Sequence, residues 1–306
     1  MKKMLLVFNP KAGRGEFIRK LYEVIDLFSR TKYRVEVYPT IARNDAKSYI
    51  QEHGSGFDLI VCSGGDGTVN EAVNACMCMK KLPILAYIPS GTTNDFAKTL
   101  KLPNNIVKSA QYILNGQPHI IDVGALLSPK QELNVRYFSY VAAFGLFTNV
   151  SYITDQKTKN ILGRIAYILE SIKQLRNIPS IDCIINIDGE IINGKFVLGI
   201  ITNATSIGGF QFFFEKNVAL DDGYFEVVLI RKPKNILERQ EIINTLCNSQ
   251  SNSNLVILRT ASRIDFSSTH SCDWTVDGEY GGQHKEITLE NQHQALNIVM
   301  PNILNP

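Results

Sequence analysis

The stretch that decides the fold is residues 58–71, Asp58-Leu59-Ile60-Val61-Cys62-Ser63-Gly64-Gly65-Asp66-Gly67-Thr68-Val69-Asn70-Glu71. An apolar run, Asp58 to Cys62, has the length and bounds of a strand, and a helical pattern, Asn70 to Met79, follows it. Between them stand three glycines within four residues. An ordinary helix start needs one cap, which Asp66 or Thr68 would supply, so capping leaves the surplus glycine unexplained. A turn this dense in glycine lets backbone N–H groups and a helix amino terminus face a phosphate.

Outward from that turn the first 120 or so residues repeat the same rhythm. Apolar runs at Met4 to Phe8, Tyr33 to Tyr38, Ile84 to Ile88 and His119 to Val123 alternate with helical candidates at Phe17 to Phe28, Asp45 to Glu52 and Ile106 to Leu114. This is the order of β-α-β units and predicts an α/β fold: an N-terminal nucleotide-binding domain with a mostly parallel sheet and flanking helices. After about Gly124 the texture becomes alternating segments, and Asp188-Gly189 and Asn193-Gly194 read as turns between antiparallel strands. A C-terminal β-rich, sandwich-like domain is expected, with helical insertions at Ile161 to Leu175 and Ile236 to Cys247. The predicted division is 1–124 and 125–294, with the tail at about 295–306 returning to the first domain.

Ligands of such sheets bind beyond the carboxyl ends of the strands, and two further strand ends are unusual there. The first strand empties into Asn9, Pro10, Lys11, Ala12, Gly13 and Arg14, small residues with two cations. The fourth ends in Pro89-Ser90-Gly91-Thr92-Thr93-Asn94-Asp95-Phe96-Ala97, rich in hydroxyls and carrying a carboxylate. Helix capping could account for Thr93, Asn94 or Asp95, but neighbouring strands bring the loops to one crevice. Together they offer amides and hydroxyls for phosphate, and Asp66 and Asp95 for Mg²⁺. There is no GxxxxGK[ST] loop, no GxGxxG fingerprint, no HRD and DFG pair, no HExxH and no GxSxG.

Of the 306 residues, 44% are hydrophobic and 20% charged, the composition of a folded globular protein. A net charge of +3 does not point to nucleic acid, and none is expected as a partner. The five-residue apolar run of Met4 to Phe8, behind Lys2 and Lys3, ends at Asn9-Pro10, too early for a signal peptide or a spanning helix. Six scattered cysteines form no CxxC pair and read as reduced thiols. The five histidines stand in no nucleophile-base context and read as structural or surface residues.

The segments NPKAG, GGDGTVNEAVNA and PSGTTNDFA, in that order on successive strand ends, resemble the diacylglycerol kinase catalytic family, and its soluble bacterial lipid kinases most of all. The resemblance extends to Leu220-Asp221-Asp222-Gly223-Tyr224-Phe225 and Val276-Asp277-Gly278-Glu279, so it covers nearly the whole chain. GGDGT alone is shared with NAD kinases and phosphofructokinase-like enzymes; the combination is more specific. The resemblance implies an ATP-dependent lipid kinase with diacylglycerol as acceptor and phosphatidic acid as product. ATP would lie against Asn9 to Arg14, Thr40, Thr92, Asp95 and Gly64, Gly65, Asp66, Gly67, Thr68, Val69, Asn70 and Glu71. Glu279 would be the general base, beside Asp66 as a catalytic residue. A structural Mg²⁺ would fall to Asp222 with the backbone carbonyls of Ala219 and Tyr224, and Asp66, Asp95 and Asp122 would extend its network. Read without the family, Asp221-Asp222-Gly223 and Asp277-Gly278 are simply turns.

Cations Lys11, Arg14, Arg19 and Lys98 could offset phosphate charge, though Arg19 and Lys98 read equally well as solvated helix charges. The aromatic segment Phe210-Gln211-Phe212-Phe213-Phe214 could line an acyl-chain pocket or fill a core. The expected location is cytoplasmic, with peripheral and transient contact at the inner membrane face; the sequence also allows a homodimer. Two competing readings are an NAD kinase-like enzyme and a nucleotide- or lipid-binding regulator without turnover.

Overall fold

The computed structural model describes residues 1–129, 135–146, 179–204, 219–248 and 253–301. The helix expected over Ile161 to Leu175 and the aromatic segment Phe210 to Phe214 lie outside them. The chain divides into two compact units, Met1–Val123 with Gln294–Pro306, and Gly124–His293.

In the first unit β1 (Lys2–Phe8), α1 (Glu16–Ser29), β2 (Tyr33–Pro39), α2 (Asp45–His53), β3 (Leu59–Gly64), α3 (Asp66–Met77), β4 (Ile84–Pro89), α4 (Asp95–Thr99) and α5 (Ile106–Asn115) follow in order. Strand β1 lies between β2 and β3, β4 lies beyond β3, and these three pairings are parallel. Met4, Leu5, Leu6 and Val7 are all fully buried, because helices cover both faces of such a sheet and leave no side for polar residues. Helix α1 turns Phe17, Val24 and Phe28 inward, and the Phe17 ring sits 5.2 Å from that of Phe8. Burying aromatic rings of this size stabilises the helix by roughly 1.5–3 kcal/mol each.

Helix α3 begins at Asp66, four residues before the sequence suggested. The glycines of Gly64-Gly65-Asp66-Gly67 disguise the start, since glycine disfavours a helix interior. Here Gly65 remains extended as the N-cap (φ −92°, ψ −173°) and Asp66 enters the first turn, where a carboxylate suits the positive end of the helix dipole.

The second unit takes the end of β5 (Gln117–Leu127), then β6 (Arg136–Phe138), β7 (Val141–Gly145), β8 (Ile181–Ile187), β9 (Glu190–Thr202), β10 (Phe225–Arg231), α6 (Ile236–Asn248), β11 (Val256–Ala261), β12 (Arg263–Val276) and the start of β13 (Glu279–Met300). Its described pairings are antiparallel. The end of β13 runs parallel to β4 in the first unit, with Ile298 beside Leu85. Over all described strands antiparallel pairings therefore prevail, and a mostly parallel sheet does not describe the chain's sheet as a whole. The physical reason is connection length: tight turns can join only antiparallel neighbours, and this half of the chain is built with them.

Strands β9 and β12 each pair with β8 along one half and with β7 along the other. The strands enclose one apolar core, in which Trp274 stands 4.9 Å from Phe144 and edge-on to Phe266 at 5.1 Å. Asp188 (φ 45°) and Gly189 (φ 99°) make the tight turn between β8 and β9. Asn193-Gly194 does not turn: β9 runs through it, and the space beside Gly194 is filled by the Arg231 guanidinium, 2.5 Å from where a Cβ would stand. Among the described residues no helix is long and apolar enough to cross a membrane.

Candidate active site

Three loops of the first unit meet at the carboxyl ends of β1, β3 and β4. The Asn9 N–H donates to the Ser63 carbonyl at 2.9 Å, and the Thr40 N–H to the Phe8 carbonyl at 2.8 Å. Asn9 Oδ1 accepts the Lys11 N–H at 2.9 Å, which folds the first loop back on itself. Gly13 has φ +57°, and a Cβ there would stand 2.5 Å from the Ser90 carbonyl oxygen. At Gly91 a Cβ would fall 2.4 Å from Gly65 Cα, so both positions need glycine for close backbone approach.

Buried polar groups fasten the last two loops together. The Tyr87 hydroxyl lies 3.1 Å from the Gly64 carbonyl and 3.2 Å from Asn94 Oδ1. Burial holds that phenol well above its ordinary range, so it remains a donor. Asn94 Oδ1 also accepts the Gly91 N–H, its Nδ2 donates to the Gly91 carbonyl, both at 3.0 Å, and Ser63 Oγ meets Ser90 Oγ at 3.1 Å. Helix α3 starts at Asp66 beside this junction, so the positive end of its dipole lies there.

The acidic residues divide by their partners. Asp66 is half-buried and accepts the Phe96 N–H at 3.1 Å, tying the starts of α3 and α4 together. Asp95 is buried and paired with Lys98 at 2.9 Å, and buried Asp122 accepts the Gln294 N–H at 2.7 Å. Glu71 accepts the Asn44 N–H at 2.8 Å and the Ala46 N–H at 3.2 Å, so its carboxylate caps α2. Burial pushes that carboxyl upward, against the pull of these hydrogen bonds. Thr40, Thr68, Val69 and Asn70 are buried, whereas Lys11, Arg14, Arg19 and Thr92 are exposed; Arg19 donates to the Arg14 carbonyl at 2.9 Å.

In the second unit Glu279 opens β13, half-buried, after the left-handed pair Asp277 (φ 48°) and Gly278 (φ 80°). Asp277 was legible in sequence only as a turn. Its carboxylate is buried and accepts four hydrogen bonds: from the Ser139 N–H (2.7 Å) and hydroxyl (2.8 Å), the Tyr140 N–H (3.0 Å) and the Val141 N–H (3.1 Å). Burial pushes its carboxyl above the ordinary range, and the four donors oppose that shift.

The Asp222 loop is exposed, with Asp222 Oδ1 accepting the Tyr224 N–H at 3.0 Å and Gly223 in a left-handed conformation (φ 83°). Its carboxylate and carbonyls are hard oxygen donors, the set that suits Mg²⁺. Among the described residues no cluster of three or more His, Cys, Asp or Glu side chains could hold a metal, so carbonyls would have to complete any such set.

Glu226, two residues beyond Tyr224, gave no signal in the sequence. It is 6% exposed, and its Oε2 has no hydrogen-bond partner among the described residues. Burial, reinforced by the Asp222 charge, pushes the carboxyl up to about 8. With the folded pKa above the unfolded one, the neutral form favours folding at low pH, and that contribution fades as pH rises towards 8. Wild type should therefore lose stability relative to Glu226→Gln as pH rises from about 5 to about 8, by an amount on the order of a few kcal/mol, in urea titrations. Parallel pH profiles of the two proteins would show that Glu226 is ionised in the fold.

Residues 3–126 match the model of the diacylglycerol kinase catalytic domain. The chain is 32% identical over 304 residues to a diacylglycerol kinase of Bacillus subtilis (strain 168), covering 98% of this chain and 97% of that protein. The chain belongs to the bacterial diacylglycerol kinase family. Another relative, a diacylglycerol kinase of Staphylococcus carnosus (strain TM300), is 32% identical over 287 residues, 92% of this chain and 90% of its own. A crystal structure of a diacylglycerol kinase from Bacillus anthracis str. Sterne superimposes with a TM-score of 0.81 at 27% identity, covering 99% of this chain and 98% of that one. Membership in the diacylglycerol kinase family makes the chain a lipid kinase, an enzyme whose chemistry needs donors for phosphate.

Proposed function

We propose that this kinase transfers the γ-phosphoryl group of ATP to the hydroxyl of diacylglycerol, giving phosphatidic acid and ADP. The observation that supports this reading most is the junction of Asn9–Arg14, Gly64–Thr68 and Ser90–Asp95, fastened by Gly13, Gly91, Tyr87 and Asn94. In this reading residues 1–124, with the tail at about 295–306, bind ATP, and residues 125–294 take the lipid. Amides of the loops and of the α3 start, with Lys11 and Arg14, hold the phosphates; Thr40, Thr92 and residues 69–71 shape the same site. Asp66 acts at the transferring phosphoryl group, with Asp95 and Asp122 behind it.

As the acceptor oxygen attacks phosphorus and the bond to the β-phosphate oxygen breaks, the hydroxyl proton passes to Glu279. Mg²⁺ supplies charge neutralisation when bound. Asp222 and the carbonyls of Ala219 and Tyr224 would hold a structural ion of this kind. The protein would meet its substrate by peripheral, transient contact with a membrane.

The test is product analysis with radiolabelled ATP and a panel of diacylglycerol, sphingosine, ceramide, phosphatidylglycerol and NAD. Label is expected in phosphatidic acid. Efficient labelling of NAD with none in any lipid would overturn the assignment.

A further inference from the structure

Two aliphatic side chains stand side by side in solvent at the start of α6: Ile236 is 79% exposed and Leu237 81%. The rest of the helix is seated normally, with Ile242 (0%), Ile243 (8%) and Leu246 (7%) buried. Ile236 is seven residues before Ile243 and so shares its face, yet it meets no core; the first turn overhangs the edge of the unit. The overhang is held in place. Asn235 Oδ1 accepts the Glu238 N–H at 2.8 Å, Glu238 Oε2 accepts the Lys234 N–H at 2.6 Å, and Pro233 just before them is buried. This reciprocal cap fixes the turn, so the apolar pair is presented rather than left to fold back.

The surroundings are basic. Between Arg231 and Arg239 the chain carries Arg231, Lys232, Lys234 and Arg239 against the single carboxylate of Glu238. Four positive charges less one negative give +3 in nine residues, equal to the net charge of the whole chain. Lys195 lies beside them, its carbonyl accepting the Lys232 N–H at 2.8 Å. A pair of exposed aliphatics flanked along the chain by lysine and arginine is the chemistry of a surface that enters the headgroup layer of an anionic bilayer.

We infer that the start of α6, with Ile236 and Leu237 inserting and Lys232 and Lys234 binding headgroups, is the site by which this protein docks on anionic lipid membrane. The inference rests on the lipid-kinase reading above, since such an enzyme must draw its acceptor from a bilayer. Arg239 and Arg231 add to the local field, and Arg231 is itself held over the Phe196 ring, 5.0 Å from its centroid.

The experiment is co-sedimentation of the full chain with vesicles of phosphatidylcholine alone, and with phosphatidylglycerol added. The same proteins are assayed on a short-chain diacylglycerol dissolved as monomer, where no docking is needed. Wild type should bind the anionic vesicles, and Ile236→Ser/Leu237→Ser and Lys232→Gln/Lys234→Gln should each lower partitioning by about tenfold or more. Both variants should phosphorylate the monomeric lipid as wild type does. Failure of wild type to bind anionic vesicles, or equal binding by both variants, overturns the docking site while leaving the kinase reading intact. A change in oligomeric mass for Ile236→Ser/Leu237→Ser with unchanged vesicle binding assigns the pair to a contact between copies and also overturns it. Variant-sensitive binding without phosphorylation of any diacylglycerol supports the docking site and sinks the kinase reading instead.

Discussion

Glu279→Gln is expected to lower turnover of diacylglycerol by roughly a hundredfold or more, in the range usual for loss of a general base. The substitution preserves size and most hydrogen bonding and removes only the ability to take a proton. Glu279 opens β13 directly after the fixed Asp277-Gly278 pair, so the variant backbone has little reason to shift. ATP affinity should stay within about twofold of wild type, because in this mechanism Glu279 serves the acceptor and not the nucleotide. Rapid-mix turnover and nucleotide titration on the same sample separate the two. A collapse of ATP affinity together with the rate would move Glu279 into a nucleotide or metal site. No change in either would reduce the Val276–Glu279 segment to a turn and send the search for the base to Asp66, Asp95 and Asp122.

Asp277→Ala should act on stability, with a loss of roughly 3–5 kcal/mol, since each buried donor left without an acceptor costs about 1–3 kcal/mol and some will find water. Three backbone N–H groups and the Ser139 hydroxyl would lose their acceptor in a place closed to solvent. Asp277→Asn keeps one carbonyl oxygen and should lose less. Urea unfolding followed by far-ultraviolet circular dichroism gives the number for each. A loss below about 1 kcal/mol for the alanine variant, within the range of one ordinary hydrogen bond, would mean that water takes over the donors and the carboxylate does not hold this corner together.

The strands of the first unit were legible because a sheet covered on both faces leaves an uninterrupted apolar run, as in Met4 to Phe8, and glycines announce where it ends. What escaped was side-chain commitment. Glu71, expected in the segment against ATP, also has its carboxylate on the amides at the start of α2, more than two dozen positions earlier in the chain. Asp277 pairs with residues 136–138 positions away, a distance across which no local pattern can speak. Glu226 sits in β10, where both faces are buried, so the alternation that would have marked a polar face is missing. The roles assigned to Asp222 and Glu279 came from family resemblance alone, since by themselves Asp-Gly pairs mark turns.

The fastening of the β3–α3 and β4–α4 loops bears on how their substitutions should be counted. Residues 63–65 and 90–94 share Tyr87, the Gly65–Gly91 approach and the serine pair, so neither segment can shift without displacing the other. An alanine scan through both would register the same disruption twice, and single losses would sum to more than the double variants lose. Genetic interactions across these segments should be strongly non-additive, with a second lesion nearly silent once the first has loosened the pair. Evolution then meets the two loops as one heritable unit, in which tolerated changes arise in combination.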